Sequence, residues 1–360
     1  MRAAKALSVV VPVRDNAATL GRVLTAIRQS ALGRENYELI VVDDSSNDAS
    51  AIIAARHADT VVRLTGDGCG PAYARNRGIE IARGEIVAFV NPDVVLSPDT
   101  LPRMLSTLAT RKDIAAVAAS RDEPAGAQNF ASQYWNLLLG FGEQRHPEIC
   151  AHFESGCGAV RRSALVAAGM YDEWRFGREC LEGLELGQRL QRAGHRLLLL
   201  RDLRVVYLKR WSFTTICREV WQRSALLTRS FGYQRTSVSV PGEVVITLSR
   251  ALTPAVAVVG SASLAAAFVP PSFGLIRDVC VLALILLGNL PVHRFYARQK
   301  GLGFAIASAP MHVVIQSIAA VALCIGWLLR DTIGDRLPDA TTQAFSEVGL
   351  EIWPPVPRRI

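Results

Sequence analysis

The chain has 360 residues, half of them apolar, with a formal net charge of +8 at neutral pH and a mean hydropathy of +0.22. That length accommodates one large domain or two ordinary ones, and the basic balance fits a partner that is nucleic acid, an anionic membrane or a phosphorylated substrate. The seven cysteines are dispersed and form no CxxC pair, so neither a zinc site nor a thioredoxin-like motif is suggested, and they fit reduced thiols in a cytosol-facing protein better than a disulfide framework.

From the N-terminus, strand and helix patterns alternate. Leu7 to Val13 is a β-branched run, too short for the apolar region of a signal peptide. Thr19 to Gln29 has helical spacing, with Leu20, Val23, Leu24 and Ile27 on one face. Tyr37 to Val42 is a second strand and ends on Asp43-Asp44. Ser50 to Arg56 reads as a helix and Thr60 to Leu64 as a third strand. Pro71 takes the first position of another helix, and Gly84 lies just beyond its end. The strand Glu85 to Val90 stops at Asn91-Pro92-Asp93, and Ser97-Pro98-Asp99 supplies a cap and start for the next helix. Arg178 to Leu197 reads as a helix with Leu181, Leu184 and Leu190 inward and with Glu182 and Glu185 on one side. This alternation predicts an α/β class with a mostly parallel sheet covered on both faces, whose ligands bind outside the carboxyl ends of the strands. Asp43, Asp44, Asn91 and Asp93 all fall at those ends.

Beyond Val244 the apolar content rises. Ala251 to Val269, Phe273 to Val292 and Phe304 to Leu329 are each long enough to cross a bilayer, and the basic "HRFYARQKG" between the last two reads as a cytoplasmic loop. Trp211 to Phe231 alternates aromatic and basic groups. It reads either as an interfacial helix, with Trp211, Phe213 and Trp221 toward lipid and Arg218, Arg223 and Arg229 toward headgroups, or as an ordinary amphipathic packing helix. The expected organisation is an α/β domain over 1–235, a membrane domain of two or three helices over 236–335, and an irregular tail over 336–360.

Several side chains carry chemistry beside a plainer alternative. Asp43 or Asp44 can accept hydrogen bonds from a nucleobase or a ribose, or can simply form an Asx-turn. Asp93 can hold a divalent ion that bridges two phosphates, since magnesium and manganese prefer oxygen ligands, or can belong to a turn after Pro92. Arg75 and Arg77 open a helix, where arginine and the helix N-terminus both favour phosphate, although a solvated basic face is the commoner case. Glu182 can deprotonate an acceptor hydroxyl as a general base. For Glu185 a solvated ion pair with Arg178 or Arg189 is the better reading. No GxGxxG follows the first strand, which argues against a dinucleotide oxidoreductase, and no dense basic-aromatic patch supports nucleic-acid binding.

Taken together, "SVVVPVRDNAATL", "ELIVVDDSSND", "GPAYARNRGIEIARGEIVAFVNPDVVL", "SGCGAVRRSAL", "GMYDE" and "LEGLELGQRLQRAGHRL" resemble, in order, the family 2 glycosyltransferases of GT-A fold, over nearly all of residues 1–235. The apolar segments are similar to those of bacterial members that act on lipid-linked acceptors. The resemblance implies an inverting transferase with a UDP- or GDP-sugar donor, a divalent cation (Mg2+ or Mn2+) and a lipid or polyprenyl-linked acceptor. It also implies a multi-pass protein of the bacterial inner membrane with a cytoplasmic transferase domain. By position, Pro12 and Val13 flank the base pocket, Asp43 or Asp44 holds the base, Arg75 lies near the phosphates and Asn91 contacts ribose. Asp93 is the metal ligand retained from the family's Asp-x-Asp, and Glu182 is the first residue of its Glu-Asp pair. Three polar positions depart from the pattern: Asn91 replaces an Asp, Gly183 replaces the Asp that usually serves as base, and Tyr207 stands where a His is common. Two functions fit: a working membrane transferase whose base is Glu182 or Glu185, and a catalytically degenerate module that binds a nucleotide sugar or a partner enzyme.

Overall fold

The β-branched runs near the N-terminus form the centre of a sheet. In the computed structural model, which describes residues 5–122, 126–145, 149–150, 153, 156–173, 181–232, 287–329 and 350–353, β1 (Leu7–Val13) pairs in parallel with β2 (Tyr37–Asp44) and with β4 (Ile86–Val90). β3 (Thr60–Leu64) extends the parallel set beyond β2. Every residue of β1, β2 and β4 is buried, because helices cover both faces, and so these strands read as continuous apolar runs instead of alternating ones. Leu7, Val9, Val11 and Val13 share a core with Leu20, Val23, Leu24 and Ile27 of α1 (Ala17–Arg28) and Ala54 of α2 (Ser50–His57). Val10 points to the other core, with Ala72, Tyr73 and Ile79 of α3 (Pro71–Ile81). Gly78 lets α3 approach, since a side-chain carbon there would collide with Val10. The ladder to β4 ends at Val10, so Pro12 sits where β1 has one partner strand, a position that tolerates proline.

The second half of the sheet is mixed. β8 (Cys157–Arg161) runs antiparallel to β4 and to β6 (Ile114–Arg121), and β6 pairs in parallel with β9 (Arg196–Tyr207). The short β5 (Val94–Val95) and β7 (Ile149–Cys150) pair antiparallel with β9. At the far edge β10 (Leu350–Trp353) pairs antiparallel with β3, giving the order β10-β3-β2-β1-β4-β8-β6-β9-β5. α4 (Thr100–Thr110), α6 (Arg162–Ala167) and α7 (Glu182–Arg192) complete this α/β part.

The chain divides into two compact units, one made of residues 1–122, 147–209 and 336–360, the other of 123–146 and 210–335. The second unit contains α5 (Phe130–Arg145), α8 (Phe213–Gly232), α9 (Leu290–Lys300) and α10 (Leu302–Leu329), packed around Tyr134, Trp135, Ile216, Val292, Tyr296 and Ile315. This partition departs from the sequence expectation in three places. Residues 123–146 and 210–235 group with the C-terminal helices, because the apolar face of α5 packs there. The tail supplies an edge strand, β10. The basic stretch is helical over His293–Lys300: Pro291 opens α9, Gly301 closes it with φ +87°, and Val292 and Tyr296 anchor one face in the core. Trp211, expected toward lipid, packs on Trp135 with ring centroids 6.0 Å apart, whereas Phe213 and Trp221 are exposed. Ala251 to Val269 and most of Phe273 to Val292 lie outside the described residues. Among the described residues one helix, over Leu302–Gly326, is long and apolar enough to cross a membrane.

Candidate active site

β2 delivers its two carboxylates to different tasks. Asp44 accepts hydrogen bonds from the backbone N–H groups of Cys69 and Gly70, both at 2.8 Å. Those amides belong to a loop in which Gly66, Gly68 and Gly70 all adopt positive φ, so Asp44 holds the turn that launches α3. Asp43 is fully buried. One oxygen accepts from the Ser46 N–H at 3.3 Å; Oδ2 lies 3.6 Å from Arg63 Nε and has no hydrogen-bond partner. Burial raises the Asp43 pKa, opposed by Ser46 and Arg63. Asp43 is in register with Val13, next to Pro12. Of the two carboxylates, Asp43 is therefore the one that keeps an acceptor atom for a ligand, beside the two residues expected at the base pocket.

α3 places Arg75 at the carboxyl end of the central strands. Its Nη1 donates to Glu182 Oε1 at 2.6 Å and its Nη2 to Asn91 Oδ1 at 3.0 Å. Its guanidinium carbon lies 5.5 Å from the Tyr171 ring centroid. One arginine thus joins the end of β4, the first turn of α7 and the loop after α6. Among the described residues its positive charge is matched by a single carboxylate, Glu182, and Asn91 supplies a neutral acceptor; an aspartate at position 91 would add a second negative charge to this buried cluster. Arg75 Nε and Glu182 Oε2 are buried and have no hydrogen-bond partner. Buried orphans of this kind are uncommon in native structures, and a ligand or solvent group can complete the set.

Glu185 stands apart from this cluster. Both its oxygens accept from Arg189, at 2.6 and 2.7 Å, and Arg189 also donates to the carbonyls of Ala168 and Met170. The pair closes the turn after α6, where Met170 is held at φ +59°. Arg77 pairs with Glu80 and Glu173 at 2.8 and 3.4 Å and lies over the Tyr73 ring. Gly183 contributes its carbonyl, which accepts from the Phe153 N–H at 3.3 Å.

Asp93 sits in the turn between β4 and β5. Pro92 O accepts from Thr19 Oγ1 at 2.8 Å, and the Asp93 carbonyl accepts from the Leu208 N–H at 2.7 Å. Because Val94 pairs with Tyr207, this turn faces the end of β9. Burial raises the Asp93 pKa, and the charges of Lys209 and Arg121 oppose that rise. Arg121, at the end of β6, lies over the Tyr207 ring with its guanidinium carbon 3.7 Å from the centroid. As a seat for a divalent ion the donor set fits poorly. One carboxylate stands in the field of two cations, the Asn91 oxygen is engaged by Arg75, and among the described residues no three His, Cys, Asp or Glu side chains gather into a ligand group. Sequence reasoning did not single out Arg121 or Lys209. Lys209 was legible as a neighbour of Tyr207; Arg121 meets them only through the pairing of β6 with β9, which sets Arg121 opposite Val205.

Residues 8–168 match the family Glycosyl transferase family 2. The putative glycosyltransferase EpsH of Bacillus subtilis (strain 168) is 34% identical over 114 residues, covering 30% of this chain and 32% of that protein. The undecaprenyl-phosphate 4-deoxy-4-formamido-L-arabinose transferase of Pseudomonas aeruginosa (strain LESB58) is 29% identical over 170 residues, 45% of this chain and 48% of that protein. The chain thus spans less than half the length of either relative. The structure of the mannosyltransferase PcManGT from Pyrobaculum calidifontis in complex with GDP-Man and Mn2+ superposes with a TM-score of 0.54 at 18% identity, over 91% of this chain and 89% of that one; the likeness is one of fold.

Proposed function

We propose that this chain, whose residues 8–168 belong to glycosyl transferase family 2, is a membrane-attached inverting glycosyltransferase that moves a sugar from a nucleotide-sugar donor to a lipid-linked acceptor. The observation that carries this reading is the buried cluster of Arg75, Glu182 and Asn91 at the strand ends, with one Glu182 oxygen left without a partner. In this reading the unpartnered Oε2 of Glu182 takes the proton of the acceptor hydroxyl as that oxygen attacks the anomeric carbon. The bond to the nucleoside diphosphate breaks on the opposite face, and its electron pair leaves with the diphosphate. Arg75 is a positioning residue that fixes the Glu182 carboxylate, and Asp43 Oδ2 receives an N–H of the nucleobase beside Pro12 and Val13. Glu185, engaged by Arg189, serves the scaffold.

The membrane part of the proposal is supported by the inverted pattern of α10. Ser308, His312 and Gln316 are at most 1% exposed, whereas Leu302, Ile306, Val314, Val321 and Leu328 on the other side are 41–69% exposed. Inside, His312 hydrogen-bonds the Tyr134 hydroxyl at 2.7 Å and Asn289 Oδ1 at 3.1 Å, and Asn289 Nδ2 donates to Gln316 at 3.1 Å. A core helix of a soluble protein buries its apolar face and turns its polar one to water. A lipid-facing helix does the reverse, because hydrocarbon satisfies no polar group. A polyprenyl phosphate, the class in the name of the Pseudomonas relative, is an acceptor carrier suited to such a surface.

The test is nucleotide release by the detergent-purified chain in native membrane lipid, across a panel of UDP- and GDP-sugars. Glu182→Gln is expected to lower kcat by about 10²–10⁴-fold, the usual contribution of a general base, with donor affinity retained. Release that Glu182→Gln leaves unchanged removes this residue from the mechanism. Saturable donor binding without release, in lipid that supplies acceptor, favours the degenerate module over the transferase.

A further inference from the structure

We infer that the tip of the α9–α10 hairpin, which carries Arg294, Arg298 and Lys300, binds the headgroups of anionic phospholipids. The inference rests on the membrane part of the reading above and assigns residues which that reading does not use. Gly301, with φ +87°, reverses the chain between the two helices. Asn289, at the start of α9, hydrogen-bonds both His312 and Gln316 at 3.1 Å, and the ring of Tyr296 lies 5.9 Å from that of Phe304. α9 therefore runs back along the first half of α10, and Lys300 and Leu302 stand together at the tip.

Along the outer side of α9 the chemistry changes toward the tip. Leu290, Arg294 and Arg298 follow one another at a spacing of one helical turn and share a face. Away from the tip Leu287 and Leu290 are 64% and 37% exposed; nearer to it Arg294, Arg298 and Lys300 are all exposed. Across the tip, the exposed Leu302 and Ile306 begin the apolar side of α10. From Leu287 to Leu329 the sequence holds these three cations and no Asp or Glu, and among the described residues none of the three forms an ion pair. The macrodipole of α9 accounts for basic groups in its last turn, Arg298 and Lys300. It does not account for Arg294, which stands one turn from a like charge, an arrangement that costs stability unless an anion lies between. A solvated surface mixes both signs of charge. Cations of one sign next to exposed leucines fit a helix whose outer face passes from hydrocarbon to headgroups. Arg294 is about 6 Å from the level of Arg298, and its long stem covers that distance by snorkelling, so all three charges reach one layer of phosphates. Nothing lies within 4 Å of a side-chain carbon built on Gly301 or Gly303, which leaves the tip open to a headgroup.

The experiment titrates short-chain phosphatidylglycerol, and separately phosphatidylcholine of the same chain length, into the detergent-purified full chain and follows binding by thermophoresis. The expected affinity for phosphatidylglycerol exceeds that for phosphatidylcholine by about tenfold or more at about 0.05 M salt, and the preference shrinks at about 0.5 M, where exposed charges are screened. Arg294→Gln, Arg298→Gln and Lys300→Gln each lower the affinity for phosphatidylglycerol by about fivefold, and together they abolish the preference. Arg294→Lys combined with Arg298→Lys retains it and shows that exchanging these side chains leaves the hairpin folded. Equal affinity of the parent for the two lipids, or a preference that the triple Gln variant keeps, overturns the inference but leaves the membrane reading standing. A poly-glutamate peptide that displaces phosphatidylglycerol at comparable affinity assigns the tip to an acidic protein surface and overturns the inference in the same way. Release of the parent chain into the soluble fraction on alkaline extraction of membranes overturns both.

Discussion

Arg75 is where stability and function meet, and its removal has a calculable cost. Its side chain is 3% exposed and that of Glu182 7%, with 2.6 Å between Nη1 and Oε1. Arg75→Met leaves the Glu182 carboxylate buried without its counter-charge and Asn91 without a donor. Breaking a buried ion pair from one side costs about 3–5 kcal/mol. For a unit of this size each kcal/mol lowers Tm by about 2–4 °C, so the expected fall is about 6–20 °C. Arg75→Met combined with Glu182→Leu removes both charges, and replacing a buried pair by apolar groups is often neutral. The double variant is therefore expected to recover most of the lost Tm while transfer stays absent, because the proposed base is gone. Thermal unfolding of the full chain at neutral pH, followed by circular dichroism, measures both. A single variant that melts within about 2 °C of the parent, or a double variant no more stable than the single, refutes the reasoning that this pair is a buried, mutually dependent unit.

Three other outcomes follow from local geometry. Gly84→Ala brings a carbon within 2.5 Å of the Ser8 nitrogen and 2.7 Å of the Leu7 carbonyl carbon, and neither backbone atom can move without shifting β1; a loss of about 1–3 kcal/mol is expected in denaturant titration. Glu38 shows how pH enters. Burial alone raises its pKa, but hydrogen bonds from Arg83 and Ser8 outweigh this and hold it below the ordinary 4.5. A depressed carboxylate pKa contributes stability that is present above the ordinary value and lost as pH falls through the folded one. Glu38→Gln should therefore melt below the parent at neutral pH, with the gap closing in acid; a gap independent of pH counts against this account. On the apolar side of α10, Val314→Lys places a charge near the middle of the proposed span at a cost of about 2.5–3.5 kcal/mol, and should shift the chain toward the soluble fraction on alkaline extraction of membranes. Equal retention of Val314→Lys and parent would count against lipid contact at this face.

Much of the α/β scaffold was legible in the chain itself. Leu7–Val13 and Tyr37–Val42 announce themselves as strands because runs rich in β-branched and apolar residues fit strands buried on both faces, and Pro71 opens a helix by backbone constraint alone. The polar strand ends were legible for the same reason, since an apolar run that stops on Asp43-Asp44 or Asn91-Pro92-Asp93 leaves carboxylates where the sheet ends. Local pattern carries no information about which partner consumes a side chain. That Asp44 spends both oxygens on the loop at Cys69 and Gly70 while Asp43 keeps one spare was decided by the fold. So was the meeting of Arg75 with Glu182 across 107 residues of sequence, and that of Arg121 with Tyr207 across the β6–β9 ladder. The basic stretch His293–Lys300 became a helix because Val292 and Tyr296 find a core to enter. Secondary structure follows steric and solvation preferences that each segment expresses by itself. Hydrogen-bond valence and charge compensation depend on which groups the folded chain brings within a few ångströms, and the character of this site rests on those contacts.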